Sequence, residues 1–405
     1  MKVSLPLMLA LAALAATLVL VGCQSTQEAG PPIRIGVLAS LTGSLATNEE
    51  GAVHGMELAF SEVNNEVAGR TVQLIVEDAG LDPGLCLTKV QKLYEMDHVD
   101  LVLGPCLSSQ GLAIRDYIDR NKLITISHFC SSPAFLEESA SRYFFRSSHN
   151  SGRQPTGHSA YIPYAVKGYR TAACVALDYK AGHDEMDGFK QVFEGLGGNV
   201  TQEIYAPIGT ADYGPYVARI DLENADFVWS FLWGDDAVRF VKALDQYGIK
   251  QRVALFFTGA ATVEPPDLWA EGDSALGIED ASHYSPALNT PANNAFVQAI
   301  RDRYHEEPTI YTEHGYVAAR MAILALQKVN GNTSDPEAPV AALEGLNFEA
   351  PRGPIKFDQG HSPTQNVYHR VVEKVDGKLQ NTVIGVYNDI GPYWLPPELR
   401  QAEGG

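Results

Sequence analysis

The stretch IRIGVLA at Ile33–Ala39, followed by a segment from Ala52 to Val63 and then by VQLIV at Val72–Val76, decides the reading of the fold. The first and last pieces are short apolar runs without polar alternation. Between them Val53, Met56, Phe60 and Val63 recur at helical spacing, which predicts an amphipathic helix. Strands that never alternate must be dry on both faces, so the unit reads as parallel strands in a sheet covered by helices on each side.

Outward from there the rhythm repeats. Asp82-Pro83 opens a helix expected to run through Leu93, and further strands are expected at Leu101–Leu103 and Leu123–Ile126. Between those two, Ser108-Ser109 starts a helix reaching Ile118. After Arg146 the pattern begins again, with strands expected at Thr171–Leu177, Val200–Tyr205, Phe227–Phe231 and Val253–Phe257. Helices are expected at Asp184–Leu196, Tyr213–Ile220 and Asp235–Tyr247, the last closed by Gly248, a residue suited to the position beyond a helix end. A helical stretch at Tyr311–Val329 and strands at Ile355–Phe357, Val367–Glu373 and Val383–Val386 are not assigned to either unit by pattern alone. Fold class is thus α/β, with two successive units of similar size.

The first residues say where the chain works. Lys2 is followed by an apolar run from Leu5 to Val21 and by Leu20-Val21-Gly22-Cys23, which resembles the bacterial lipobox. Residues 1–22 are expected to be a cleaved leader. Cys23 then becomes the lipidated first residue, and 23–32 a polar, Pro-ending tether. A membrane-spanning helix needs about 20 apolar residues with charged flanks, and this run is a poor match. The formal charge of −19 becomes −20 once Lys2 is removed. Such a surface repels phosphate backbones and argues against nucleic-acid binding.

Cys86, Cys106, Cys130 and Cys174 remain after Cys23 is claimed by the anchor. Four cysteines in an exported chain allow three pairings, which sequence cannot choose among. Cys86 with Cys106 is the preferred disulfide, because their loops should be neighbours at one sheet edge. Cys174, inside an apolar run, reads as a small buried hydrophobe. The eleven histidines and many serines form no Gly-x-Ser-x-Gly elbow, no His-Glu-x-x-His pair and no P-loop. No enzyme, cofactor or metal site is therefore expected, and His149 and His158 read as surface or helix-end residues.

The ordered motifs carry a resemblance. They are Ile35-Gly36-Val37 with Leu41-Thr42-Gly43; Glu77-Asp78-Ala79 with Asp82-Pro83; Gly104-Pro105 with Ser108-Ser109; Ile126-Ser127 with Ser131-Ser132-Pro133; Phe145-Arg146-Ser147; and Gly353-Pro354-Ile355-Lys356-Phe357-Asp358 with Gly360-His361. In order and spacing the chain resembles the leucine/isoleucine/valine-binding protein family of type I periplasmic binding proteins, from Ile33 to about Tyr393. The resemblance implies two Rossmann-like lobes with parallel sheets joined by three crossovers, near Ser147, Asp280 and Leu346. It divides the chain into 33–147 plus 281–346 for the N-lobe and 148–280 plus 347–395 for the C-lobe, with a tail at 396–405. It also implies a solute-binding subunit that works with an ABC permease in the inner membrane, anchored by lipid at the periplasmic or cell surface.

By that resemblance Ser108 and Ser131 hold a ligand carboxylate, with Ser109 and the Cys130 backbone beside them. A helix start favours an anion independently of any family, because its N–H groups are unpaired. Phe129, Tyr179 and Trp233 are expected to wall the cleft, with Asp178 and Phe257 close by. The segment Thr258-Gly259-Ala260-Ala261 lacks the carboxylate that amino-acid binders of the family often place there. Asp178 or Asp235 must then meet an ammonium, or the ligand has none. The expected ligand is a branched-chain or related amino acid, with small aromatic or other organic carboxylates as the alternative, and a sensing lipoprotein of the same fold as a rival role.

Overall fold

The computed structural model describes residues 30–136, 140–259, 261–357 and 360–400. The expected leader, Cys23, all but the end of the tether, and residues 401–405 lie outside the described residues. The strands are β1 (Ile33–Ala39), β2 (Glu66–Val67), β3 (Arg70–Asp78), β4 (Leu101–Leu103), β5 (Thr125–Ser127), β6 (Phe144–Arg146), β7 (Thr171–Leu177), β8 (Asn199–Ala206), β9 (Phe227–Phe231), β10 (Ala254–Thr258), β11 (Glu279–Ser282), β12 (Asn347–Ala350), β13 (Gly353–Lys356), β14 (Gln365–Val375) and β15 (Lys378–Ile390). The α-helices are α1 (Ala46–Glu62), α2 (Pro83–Glu95), α3 (Ser108–Asn121), α4 (Pro155–Tyr161), α5 (Lys180–Gly195), α6 (Gly214–Val217), α7 (Gly234–Gln246), α8 (Asp267–Glu271), α9 (Pro291–Tyr304), α10 (Ile310–Lys328), α11 (Glu337–Glu344) and α12 (Pro397–Arg400).

One sheet has the order β2-β3-β1-β4-β5-β6, and its strands run parallel apart from the short β2. Strand β1 shows why its sequence does not alternate. Ile33, Ile35, Val37 and Ala39 pack with Met56 and Phe60 of α1, while Leu38 packs on the opposite face with Leu93 and Ile114. Gly36 lies on that second face, where an added Cβ would stand 2.9 Å from Leu93 Cδ1. Asp82 caps α2 through a 2.7 Å bond from the Leu85 amide, with Pro83 in the first turn.

The second sheet has the order β15-β14-β11-β10-β9-β7-β8. Strands β7 to β11 are parallel and again double-faced: Ala173, Val175 and Leu177 enter one core, Ala172, Cys174 and Ala176 the other. Strands β14 and β15 join antiparallel, so this lobe is not purely parallel as expected. The buried Arg370 of β14 locks the junction through Asp280 of β11 and Glu264, each at 2.5 Å from Nη2.

Helix α10 packs back on the first lobe, across α1. The two backbones approach so closely that a Cβ on Gly55 would lie 2.0 Å from Thr312 O, and one on Gly315 2.0 Å from Ala52 O. The chain crosses after Arg146 and returns after Ser282. The third crossing differs from expectation. Ala350, Ile355 and Phe357 belong to the first lobe's core, so the passage lies between Phe357 and Gln365 and not near Leu346. Within the stretch expected as a tail at 396–405, Leu399 packs against the second lobe.

Candidate functional site

Between the lobes lies a cavity of about 510 Å³. Ser108, Ser109, Phe129 and Ser131 reach it from the first lobe, Tyr179 and Trp233 from the second. Each sits just beyond the carboxyl end of a strand, where open α/β sheets place ligands. Other expected residues do not arrive. Cys130 is fully buried beneath the loop, its thiol donating to Leu107 O at 3.1 Å. Phe257 is the penultimate residue of β10 and points into the second lobe's core. Asp178 turns to solvent and pairs with His183 at 2.9 Å. Asp235 is 89% exposed and reaches only Arg239. The Cys86–Cys106 disulfide is not formed. All four described cysteines are free and buried, and the Cys106 thiol hydrogen-bonds Glu49 instead. Cys174 is buried in the core as its apolar context implied.

One pole of the cavity is built for negative charge. The residue preceding α3 is Leu107, and no side chain caps the helix, so neither serine serves as the cap. The first-turn amides of α3 are left facing outward. Ser108 Oγ accepts hydrogen bonds from the amides of Ser131 and Ser132, both at 3.1 Å. Both lone pairs of that oxygen are engaged and its proton is left for an acceptor in the cavity. Behind the loop, the buried Arg146 guanidinium donates to Ser132 O at 2.9 Å and to Ser362 Oγ at 2.8 Å. It has no carboxylate within ion-pair distance among the described residues, and its Nη2 has no hydrogen-bond partner. A buried guanidinium behind the loop raises the potential at this pole.

The walls are aromatic. Phe129 stacks on Tyr311 with centroids 4.6 Å apart and planes 9° from parallel. Across the gap, Trp233 Nε1 donates to Tyr179 OH at 2.9 Å, fixing the two rings in an edge-on pair. Burial pushes the Tyr179 phenol well above its usual range, so it stays neutral. The turn after Trp233 requires Gly234, whose φ is +59°, and the Gly234 amide is held by Asp267 at 2.6 Å.

Sequence reasoning missed the far pole. Helix α5 begins at Lys180, not Asp184, so Ala181, Asp184 and Glu185 share the face that looks into the cavity. The run Glu185, Met186, Phe189, Val192 and Phe193 carried that signal, because it fits a helix continuing back past Asp184. Glu185 is 3% exposed and receives hydrogen bonds from the Thr156 hydroxyl and the Gly152 amide, with Ser151 Oγ also in contact. Burial outweighs those bonds and raises its carboxyl above the usual carboxylate range. Ser151 Oγ in turn donates to Ser131 Oγ at 2.8 Å. Asp184 is engaged by Lys180 one turn earlier on the same helix. His149, also missed, lines the cavity, and both it and His158 are buried and not on the surface. Burial pushes the imidazoles down, to about 3 for His149 and about 4 for His158, so both are neutral.

Comparison with known proteins gives the following. A family described as periplasmic binding protein matches residues 32–378. The Leu/Ile/Val-binding protein homolog 6 of Brucella suis biovar 1 (strain 1330) is 26% identical over 365 residues, covering 89% of this chain and 92% of that one. An ABC transporter substrate-binding protein from Sphaerobacter thermophilus superposes with a TM-score of 0.85 at 33% identity, covering 89% of this chain and 99% of that one. A solute-binding protein of an ABC transporter from R. palustris, solved with 4-hydroxybenzoate, gives 0.83 at 30% identity, covering 89% and 98%.

Proposed function

The chain belongs to the periplasmic binding protein family, and from that premise we propose that it captures a small aromatic carboxylate for an ABC importer. The coarser statement needs no proposal: this is an extracytoplasmic solute-binding protein of the ABC transporter type, in a family that is not an enzyme class. The finer one rests on a single observation. Among the described residues lining the cavity the acids are Asp184 and Glu185, and both already have protein partners.

Asp178 and Asp235 face solvent, Asp184 is paired with Lys180, and Glu185 is buried with the Thr156 hydroxyl and the Gly152 amide as donors. Burying an ammonium without a counter-charge costs several kcal/mol. Ser151 Oγ donates to Ser131 Oγ, which leaves the Ser131 proton to point into the cavity. Phe129 and Tyr311 on one side, Tyr179 and Trp233 on the other, suit a flat ring between them. The R. palustris relative solved with 4-hydroxybenzoate supports the same class.

Capture would proceed by closure of the two lobes about the crossing segments, as in periplasmic binding proteins generally. Lipid attachment through Cys23 and delivery to a permease in the inner membrane complete the reading. A thermal-shift screen of the mature chain against benzoates, hydroxybenzoates and aliphatic amino acids tests it. A ligand at about 100 times its Kd adds about 2.7 kcal/mol of apparent stability. Benzoates should raise the Tm and leucine should not; a response to leucine alone reverses the assignment.

A further inference from the structure

Behind the cavity, three imidazoles from separate segments converge. His149 lies on the first crossing, His283 immediately follows β11 on the second, and His314 sits in the first turns of α10. All three are buried. One nitrogen from each ring falls within 4.8 Å of the others, and His283 Nε2 faces His314 Nε2 at 2.5 Å. The His283 and His314 rings are parallel to within 9°, and His149 lies 4.8 Å from His283 between centroids. The Nδ1 atom of each ring is buried without a hydrogen-bond partner. Two facing Nε2 atoms at this separation, with a third imidazole nitrogen within reach, form a donor set that a single cation can satisfy.

We propose that His149, His283 and His314 bind one divalent transition-metal ion of the zinc class, with its fourth position open toward the cavity. Imidazole nitrogen is the ligand type that suits zinc, copper and nickel. Three histidines plus one open position is a recurrent zinc arrangement. Zinc–nitrogen bonds of roughly 2.0–2.1 Å put tetrahedral ligand atoms roughly 3.4 Å apart. The close pair must therefore open by about 0.9 Å while His149 moves in, a matter of ring rotation. His149 borders the cavity, so water or a captured anion can complete the shell. The Glu49–Cys106–His128 cluster beside it is a weaker candidate, because His128 Nε2 and Glu49 Oε1 already bond each other at 2.9 Å and Glu49 Oε2 takes the Ser40 amide. An ion at the three histidines would tie the first and second crossings to α10.

The test uses the full mature chain, stripped with chelator and titrated at neutral pH with Zn²⁺ alone by calorimetry. One ion per chain is expected, with at least about tenfold weaker binding in His283→Gln and in His314→Gln. His183→Gln, which alters the surface pair with Asp178 and the stacking on Tyr205, away from the three histidines, should leave that stoichiometry intact. Because the buried variants can misfold, the wild-type chain is also loaded with Co²⁺. The strong visible absorption of a four-coordinate site is expected, and a pale six-coordinate spectrum overturns the proposal. So does Zn²⁺ uptake that is absent in the wild type or unchanged in folded His283→Gln and His314→Gln.

Discussion

Replacing Ser108 by alanine removes one oxygen that does two jobs. It accepts the Ser131 and Ser132 amides at 3.1 Å each, and its own proton has no protein acceptor. In the proposed complex that proton meets the ligand carboxylate, and a hydrogen bond to a charged group contributes about 1.5–3 kcal/mol. That corresponds to roughly 10- to 150-fold in Kd. The lower end is expected here, because the two released amides point toward the same space and can take over part of the anion's solvation. Stability should move by less than about 1 kcal/mol, since the loop stays anchored from behind by Arg146 at Ser132 O and the freed amides are only part-buried. Titration calorimetry with 4-hydroxybenzoate, alongside thermal unfolding of the free protein, separates the two effects. Ser109→Ala is the internal control: it is exposed, with no hydrogen bond from its hydroxyl, and should fall within about 0.5 kcal/mol of wild type. Unchanged affinity in both Ser108→Ala and Ser131→Ala would refute the anion pole, because these are the two hydroxyls assigned to the ligand carboxylate.

Two further outcomes are expected. Asp267 holds the Gly234 turn, and burial, with Asp235 and Glu264 adding to it, raises its carboxyl from 3.8 to about 6. A raised carboxyl favours the folded state while protonated, so its contribution is complete below about pH 3.8 and is lost as pH rises through about 6. Asp267→Asn keeps an acceptor for the Gly234 amide and removes the ionisation. Its stability should gain on wild type across that window, by up to about 3 kcal/mol, and a parallel pair of Tm–pH curves would contradict this. Arg370→Met leaves Asp280 buried without its guanidinium and should destabilise by about 3–5 kcal/mol in denaturant unfolding. A loss below about 1 kcal/mol would mean that water reaches the β11–β14 junction.

The class of fold was readable because parallel strands announce themselves: β1 and β7 are apolar at successive positions, and each turns residues into two different cores. The anion pole was readable for a similar reason, since a serine pair opening a helix after a strand is a local feature. Its partners were not. Ser151 and Glu185 reach Ser131 from segments 20 and 54 positions further along the sequence, and only the packing of α5 against the first crossing brings them there. That packing needs Gly188, where an added Cβ would lie 2.2 Å from Gly152 Cα.

Local periodicity therefore determined the α/β alternation and the strand ends beyond which Ser108, Phe129, Tyr179 and Trp233 stand, although not every helix start. It could not tell Asp178, which swings to solvent, from Glu185, which is buried, because burial depends on what another segment covers. Nor could it place Phe257, whose side of the sheet is set by the strand's register with β9 and β11, or bring His149, His283 and His314 together. Those choices belong to the tertiary structure, since desolvation and orientation arise only when distant parts of the chain exclude water from the same volume.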